Sequence, residues 1–444
     1  MHLVYGQAAL TIIAAAGEDS DYGLPGVSDR KRTIQDSLAV GDDVFMRTFP
    51  YMSVALAASR WATRGWTLQE AVLSKRRLIF TDQQIAFQCN GMHCYEAVKW
   101  PYELMHAKSS PRFAENVPGS PFSRLIINPR SWNQEKSYSS LVEILEEYST
   151  RTLTYSSDTL NAFLGVLASF STRKDPIYHV WGVAVVTQYN SWDLKIYWVH
   201  RKPCSRLTQF PSWSWAGWSG PVNRGMHIQS GTDHRSVFHA CLEKDHQGEE
   251  ANIIDLQTFG DEHDKYSDYA TGSPFLRLRI KAVKFQLTWI SWSTFSEAAR
   301  QAYYQAYYQE RSWEIDSHID GFRNGLYVEL PRRGYTELAY FYADDESLDL
   351  ASLRERTLPA MMLETESMTG NLSFMALKHC GDDRYERLGC FLFQPGPMRP
   401  TSDYGFRLDN GRLSKVRPDI ASSLKLREQL LWERNHEIID IRLG

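Results

Sequence analysis

The sequence predicts an α+β fold in three successive parts. These parts are an α/β segment over 1–95, a linker with helices over 96–175 and a β-rich α+β region over 176–444. Three observations predict this arrangement. The apolar run Leu10–Ala16 is typical of a strand buried on both faces. Apolar residues recur with helical spacing within 138–170, whereas Phe275–Ile280 alternates apolar and basic residues, as a half-buried strand does.

The first part alternates between helix and strand signals. Apolar residues fall on one helical stripe over 1–8, and 51–63 is rich in alanine without a helix breaker. Another helix is predicted to begin at Thr67. The segments Arg77–Phe80 and Gln84–Cys89 are strand-like and are joined by a short polar turn.

The middle and last parts differ in composition. Residues 100–137 are rich in proline and serine, which predicts a linker or loop before the helices of 138–170. From residue 176 the pattern is mostly strand and turn. It is interrupted at 296–313 by a predicted helix that contains a duplicated Gln-Ala-Tyr-Tyr sequence.

Composition excludes several classes of protein. With 444 residues, of which 43% are hydrophobic, the chain can bury a large core, and its net charge of −4 gives no attraction to nucleic acid. Six cysteines without framework spacing predict a reduced, cytoplasmic protein. No stretch approaches the roughly 20 apolar residues of a membrane helix. Ala8–Ala16 has the composition of a signal-peptide core, but it lacks the preceding Lys or Arg of such signals.

Several segments resemble the fungal heterokaryon-incompatibility (HET) family, in that family's order. They are VYGQAALTIIAAAG at 4–17, GLPG at 23–26, RGWTLQE at 64–70, the helical segment 140–164, PSWSWAGW at 211–218 and RYERLG at 384–389. The succession of RGWTLQE and PSWSWAGW is the most specific part of this pattern. On these motifs the chain is identified as a member of the HET family.

The resemblance implies a role in fungal non-self recognition, that is, heterokaryon or vegetative incompatibility, and in programmed cell death. The expected mode of action is contact with other proteins of the incompatibility pathway. Family members usually carry roughly a hundred residues before the first matching segment, about half a domain. The resemblance therefore implies an N-terminally truncated HET domain, and an inactive truncated paralogue is an alternative.

HET domains are similar to TIR domains, which implies a second alternative function. In NAD-cleaving TIR domains a Trp is followed four residues later by a catalytic Glu, and the matching residues here are Trp66 and Glu70. Cleavage of the nicotinamide–ribose bond expels a neutral leaving group through an oxocarbenium-like state, so one carboxylate can supply much of the stabilisation. Trp66 would stack on a ring and Arg64 would bind a phosphate. NAD would be the substrate of this nucleosidase, and no cofactor is predicted.

A structural interpretation competes for the same residues. Thr67 and Glu70 have the spacing of a capping box, in which Thr67 caps the helix and Glu70 bonds back to the Thr67 amide. Such a cap stabilises a helix by about 1 kcal/mol. Trp66 would pack onto the helix as an apolar staple. We favour capping over catalysis, because nucleotide sites in open sheets lie at strand ends near switch points, and the opening strands are missing from this sequence.

Two clusters of metal-ligand residue types occur in the sequence. His234, His239, Cys241 and His246 lie within thirteen residues, but their spacings match no familiar zinc finger, and nearby His263 does not change this. No metal site is therefore predicted.

Cys89 and Cys94 do not have the two-residue spacing of redox motifs, so a buried Cys89 at the end of a strand is the preferred interpretation.

The tryptophan-rich segment has two interpretations. Alternation along a strand would place Trp213 and Trp215 on one face, with Trp218 nearby. Such indoles form either a ligand platform or an anchor in a core or between domains, and the anchor is the preferred interpretation.

Overall fold

In the computed structural model, the chain forms two compact units, 1–182 and 183–444. The structure describes residues 2–90, 92–97, 134–188, 191–200, 202–223, 234–236, 238–243, 253–255, 273–291, 325–332, 335–353, 356–366, 372–393, 405–409, 412–416 and 436–444. Among the helices of these ranges, none has the length and apolar character needed to cross a membrane. The predicted linker up to residue 133 and the predicted helix at 296–313 lie outside the described residues.

The first unit combines six helices and seven strands within its described part. The helices are α1 (His2–Gln7), α2 (Met52–Ala57), α3 (Arg60–Thr63), α4 (Thr67–Leu73), α5 (Gln134–Ser149) and α6 (Asn161–Ser171). The strands are β1 (Thr11–Ala14), β2 (Ser37–Val40), β3 (Asp43–Met46), β4 (Arg76–Phe80), β5 (Ile85–Cys89), β6 (His93–Tyr95) and β7 (Tyr178–Val180).

The sheet of the first unit has the order β1-β4-β5-β6. Strand β1 runs parallel to β4, and helices α2 to α4 lie between them along the chain. Strands β4, β5 and β6 are antiparallel neighbours. The predicted strands Arg77–Phe80 and Gln84–Cys89 are confirmed as β4 and β5. Ile13, Leu68 and Ile79 form part of the core, each with no exposed surface.

Strand β1 is at the edge of this sheet, which corrects one expectation. The segment Leu10–Ala16 does supply the strand Thr11–Ala14, but within that strand only Ile13 is buried, and Ile12 is 55% exposed. The expectation of burial on both faces is wrong because that pattern belongs to central strands of parallel sheets. An apolar run alone does not distinguish an edge position from a central one.

The predicted helix over 51–63 is divided into α2 and α3. Ser59 caps α3, since its Oγ accepts a hydrogen bond from the Ala62 amide at 3.2 Å. A serine at such a position offers the backbone an alternative to continuing the helix.

The helices predicted within 138–170 are present as α5 and α6. Leu141, Ile144 and Tyr148 of α5 are buried at helical spacing. The Tyr148 ring packs on Phe163 of α6 with ring centroids 4.9 Å apart, and its hydroxyl donates to the Thr159 carbonyl at 2.6 Å. These contacts hold α5 against α6.

The second unit is built mainly of strands. They are β8 (Val183–Gln188), β9 (Ser191–Leu194), β10 (Val199–His200), β11 (Val222–Asn223), β12 (His234–Ser236), β13 (His239–Glu243), β14 (Ile253–Asp255), β15 (Leu276–Ile290), β16 (Gly325–Arg332), β17 (Tyr335–Tyr340), β18 (Tyr342–Ala343), β19 (Thr357–Glu366), β20 (Leu372–Gly381), β21 (Arg384–Phe393), β22 (Gly405–Asp409), β23 (Arg412–Val416) and β24 (Glu437–Leu443). The α+β class expected from the sequence is therefore observed.

An eleven-stranded sheet dominates this unit. Its main path is β12-β19-β20-β21-β24-β15-β13-β14, and β16, β17 and β18 pair outside that path. The long strand β15 alternates buried and outward-facing residues over much of its length, as its apolar–basic pattern predicts. Phe285, Phe374 and Phe391 lie in the core that this sheet covers.

The tryptophan-rich segment is a turn rather than a strand. Residues Trp215–Gly217 form a short 3₁₀-helix whose preceding Ser214 accepts a hydrogen bond from the Ala216 amide at 3.1 Å. The strand expectation is wrong because three alternating residues do not separate a strand from a serine-capped turn.

Candidate functional site

Helix α4 carries the predicted site residue Glu70 and begins without the predicted capping box. Trp66 precedes the helix in a helical conformation and makes no side-chain cap bond. The Thr67 hydroxyl donates to the Trp61 carbonyl at 2.6 Å and is also 2.7 Å from the Arg64 carbonyl. Thr67 thus joins α4 to the end of α3, and the capping interpretation is wrong because its hydroxyl is committed to these carbonyls.

The Glu70 carboxylate is held by side chains from two other helices. Trp61 of α3 donates its indole N–H to Oε2 at 2.8 Å, and Tyr5 of α1 places its hydroxyl 3.5 Å from Oε1. The first distance is that of a charge-assisted hydrogen bond, whereas the second is at the limit of one. Both carboxylate oxygens therefore have a defined orientation.

Burial and charge act in opposite directions on Glu70. Partial burial raises the pKa of its carboxyl above the ordinary value, because the charged form loses hydration. The hydrogen bond from Trp61, the charge of Arg64, the hydrogen bond from Tyr5 and the charge of Arg151 lower it in part. The net result is that the pKa of the Glu70 carboxyl is raised, although Trp61 and Tyr5 both donate hydrogen bonds to it.

Arg64 and Trp66 precede Glu70 in the chain, and both are accessible to solvent. Arg64 is exposed, and Trp66 has 39% of its surface accessible. Trp66, which was expected to pack onto the helix as an apolar staple, therefore has much of its indole exposed to solvent. An accessible ring, an accessible guanidinium and an oriented carboxylate thus lie within one segment of seven residues.

Sequence reasoning missed Arg151, which is buried beside the same helix. Its Nη1 donates to the Thr67 hydroxyl at 3.2 Å, its Nη2 pairs with Glu147 at 3.0 Å, and its guanidinium lies over the Trp61 ring. Burial lowers the pKa of Arg151, and Glu147 and Glu70 oppose that shift. The only sequence signal for it was its place in the family-like segment 140–164.

A close backbone approach joins the family-like segments 64–70 and 140–164 of the first unit. The Gly65 amide donates to the Thr152 carbonyl at 2.8 Å, and the Thr152 amide donates to the Thr63 carbonyl at 2.7 Å. A Cβ on Gly65 would lie 2.5 Å from the Leu153 side chain. The glycine of RGWTLQE therefore permits the contact that brings Arg151 to α4.

The three tryptophans of residues 211–218 are buried, so the interpretation as a core anchor is confirmed. Trp213 has no exposed surface, and its indole N–H donates to the Pro274 carbonyl at 3.0 Å. The indole of Trp218 donates to the Ser212 carbonyl at 2.9 Å. Buried indoles bonded to backbone carbonyls do not offer a platform to a ligand.

The candidate metal residues lie on different strands. His234 belongs to β12, whereas His239 and Cys241 belong to β13, with His239 Nδ1 3.7 Å from Cys241 Sγ. His246 and His263 lie outside the described residues. The described part of the chain contains no group of three or more His, Cys, Asp or Glu that could hold a metal ion.

Cys89 ends β5, as expected, and is partly buried. Cys94 lies on the neighbouring β6, where it pairs with Phe87 rather than with Cys89. None of the six cysteines, all of which lie in the described residues, forms a disulfide.

The first unit is thus an α/β module in which helix α4, which carries Glu70, lies in the crossover between the parallel strands β1 and β4. Residues 1–70 match the family model described as heterokaryon incompatibility protein (HET), and the match ends at Glu70. This match confirms the HET-family assignment for this segment of the chain. No curated protein and no solved structure matches.

Proposed function

We propose that this protein acts in fungal non-self recognition, as a component of heterokaryon or vegetative incompatibility that leads to programmed cell death. The observation that carries the proposal is the HET-family match over residues 1–70. The expected mode of action is contact with other proteins of the incompatibility pathway. Large apolar side chains exposed on the first unit, among them Phe45 and Val54, support a role in protein contacts.

Six cysteines without framework spacing favour a reducing compartment, and the cytoplasm is the proposed location. The composition also favours a role without nucleic acid, since the net charge is −4.

Inducible expression of the chain in a filamentous fungal host tests this proposal. We expect growth arrest and death of the induced cells, without a preceding fall in cellular NAD. Healthy cells that contain folded protein at high level would contradict the proposed role. Induction of an unrelated β-rich protein of similar size serves as the control for the burden of expression.

The geometry at Glu70 favours a second candidate function, NAD cleavage of the kind found in TIR domains. The carboxylate is oriented by Trp61, while Trp66 and Arg64 remain accessible for a ring and a phosphate. A carboxylate in this setting stabilises an oxocarbenium-like ribose without a general acid.

Incubation of the purified chain with NAD tests this second candidate. Release of nicotinamide that is lost in Glu70→Gln but retained in Glu18→Gln would support it, since Glu18 is an exposed carboxylate outside the site. Absence of nicotinamide release at any protein concentration would exclude it. Death of expressing cells with unchanged NAD would favour the first proposal over the second.

A further inference from the structure

The hairpin formed by β2 and β3 presents apolar side chains to solvent on both of its faces. Leu38 and Val44 are 65% exposed, Phe45 is 61% exposed and Met46 is 58% exposed. The two strands pair only with each other, and no other described strand adds to the outer edge of β3. A two-stranded hairpin of this kind is marginal by itself, and an open apolar edge is a template for another strand.

The register of the hairpin determines which groups of β3 face outward. The Arg47 amide donates to the Asp36 carbonyl at 2.9 Å, so the backbone N–H and C=O groups of Arg47 point toward the β2 side of the hairpin. Bonding direction alternates along an antiparallel strand. Phe45 and Asp43 therefore also bond toward β2, whereas Val44 and Met46 present their N–H and C=O groups at the open edge.

The sequence of this edge is complementary to itself. When Asp43–Arg47 is paired antiparallel with a second copy about Phe45, Asp43 lies opposite Arg47 of the partner subunit. Val44 then lies opposite Met46 of the partner subunit, and the two phenylalanines meet on the axis. This register also makes Val44 and Met46 the bonding residues, as their outward groups require.

Charge supports this register. Asp43 and Arg47 stand at opposite ends of the edge, so two-fold pairing forms an opposite-charge pair at each end. Within its own chain the Arg47 side chain is 80% exposed and lies 3.5 Å from an Asp36 side chain that is 78% exposed. Such an exposed pair contributes little, which leaves Arg47 able to pair across the interface.

We propose that two copies of this protein associate edge to edge through β3, about a two-fold axis at Phe45, to form a continuous four-stranded sheet. The occupant of the open edge is thus a second copy of this chain. Pairing with a strand from an unrelated protein would not require Asp43 to face Arg47. The charge-exchange experiment below uses this difference to distinguish the two occupants. The inference goes beyond the proposed function and does not depend on it.

Cysteine trapping tests the register. Residues opposite each other at a non-hydrogen-bonded position have Cα atoms about 4.5 Å apart, within the range of a disulfide. Phe45→Cys should therefore give, under copper-phenanthroline and oxygen, a disulfide-linked species of twice the 51.2 kDa of one chain, well above the wild-type background. Leu38→Cys is the matched control, since Leu38 is similarly exposed but lies on β2, about 14 Å from its symmetry mate at three strand spacings. Equal trapping of both variants, or none with Phe45→Cys at any concentration, would overturn the proposal.

Exchange of the charges at Asp43 and Arg47 tests whether the strand paired with β3 belongs to a second copy of this chain. Sedimentation velocity over a concentration series should show a dimer for the wild type and a several-fold smaller dimer fraction for Asp43→Arg and for Arg47→Asp. The double variant carries the pair in reversed order and should regain the dimer, with circular dichroism confirming that all four proteins are folded. A wild type that is monomeric throughout the series, or a double variant as dissociated as the single ones, would refute the self-association.

Discussion

A buried ion pair in the second unit allows the sharpest test of how this fold is stabilised. The side chains of Arg387 and Asp344 have no exposed surface, and Arg387 Nε donates to Asp344 Oδ2 at 2.7 Å. The other guanidinium nitrogens bond to the carbonyls of Ile196 and Trp198 at 3.1 and 2.5 Å, and the guanidinium lies 3.4 Å from the centre of the Trp198 ring. Burial opposes the charge of Arg387, but Asp344 outweighs it, so the pKa of Arg387 is raised.

The perturbation is Asp344→Asn, which keeps the shape of the side chain and removes its charge. Arg387 then remains charged and buried without a counter-charge, and the free energy of unfolding should fall by about 3–5 kcal/mol. Urea denaturation followed by tryptophan fluorescence measures this loss, because several buried tryptophans lie in the same unit. The midpoint should move to lower urea concentration with little change in slope.

Asp440→Asn is the matched control for this experiment. Asp440 makes a comparable contact with Arg279 at 2.9 Å, but the two side chains are 70% and 66% exposed. An exposed pair of this kind contributes little to stability, because both charges stay hydrated and screened. The reasoning would be refuted if Asp344→Asn cost no more than Asp440→Asn. Replacement of both partners by Arg387→Met and Asp344→Leu should recover much of the loss, since no unpaired charge remains.

Three further predictions follow from other contacts. Trp61→Phe removes a hydrogen bond that favours the charged form of Glu70, so the pKa of the Glu70 carboxyl should rise further. A carbon-13 NMR titration measures this pKa, and an unchanged value would contradict the contact between Trp61 and Glu70. Burial lowers the pKa of His200 in the folded protein, whereas in the unfolded chain this histidine takes up a proton near pH 6.5. The free energy of unfolding should therefore fall as the pH drops below about 6.5. Denaturation midpoints measured over this pH range should fall less steeply for His200→Asn than for the wild type. Gly389→Ala would place a Cβ 2.3 Å from the Tyr342 carbonyl oxygen and should lower the free energy of unfolding by about 1–3 kcal/mol. Equal melting curves for the variant and the wild type would contradict this prediction.

Local patterns in the sequence predicted many of the elements but not their neighbours. Strands β4 and β5, the start of α4 at Thr67 and helices α5 and α6 follow from periodicity and turn residues. The parallel pairing of β1 with β4 depends on a crossover of about sixty residues, which no local pattern encodes. For the same reason Ile12 was expected to be buried, although its edge position exposes it.

The candidate site shows the same division between local and distant information. Glu70, Trp66 and Arg64 were found because they lie within seven residues of sequence. Trp61 and Arg151 were missed, because their contacts with α4 arise from the packing of α3 and from a backbone pairing with residues 150–153. Even the capping box failed on a tertiary contact, the hydrogen bond from the Thr67 hydroxyl to the Trp61 carbonyl.

The family-like motifs of the two units differ in what their side chains face, and this difference determines where function is to be sought. In the second unit, Ser212 of the tryptophan-rich motif accepts a hydrogen bond from the Arg387 amide at 3.0 Å, so that motif and the 384–389 motif pack on each other in a buried region. The buried residues of these motifs, such as Trp213 and Arg387, contribute to stability. In the first unit, by contrast, RGWTLQE leaves Trp66 and Arg64 in solvent beside an oriented carboxylate. Substitutions in the buried motifs should therefore lower the free energy of unfolding first, whereas substitutions at the exposed end of α4 should affect function in a chain that still folds.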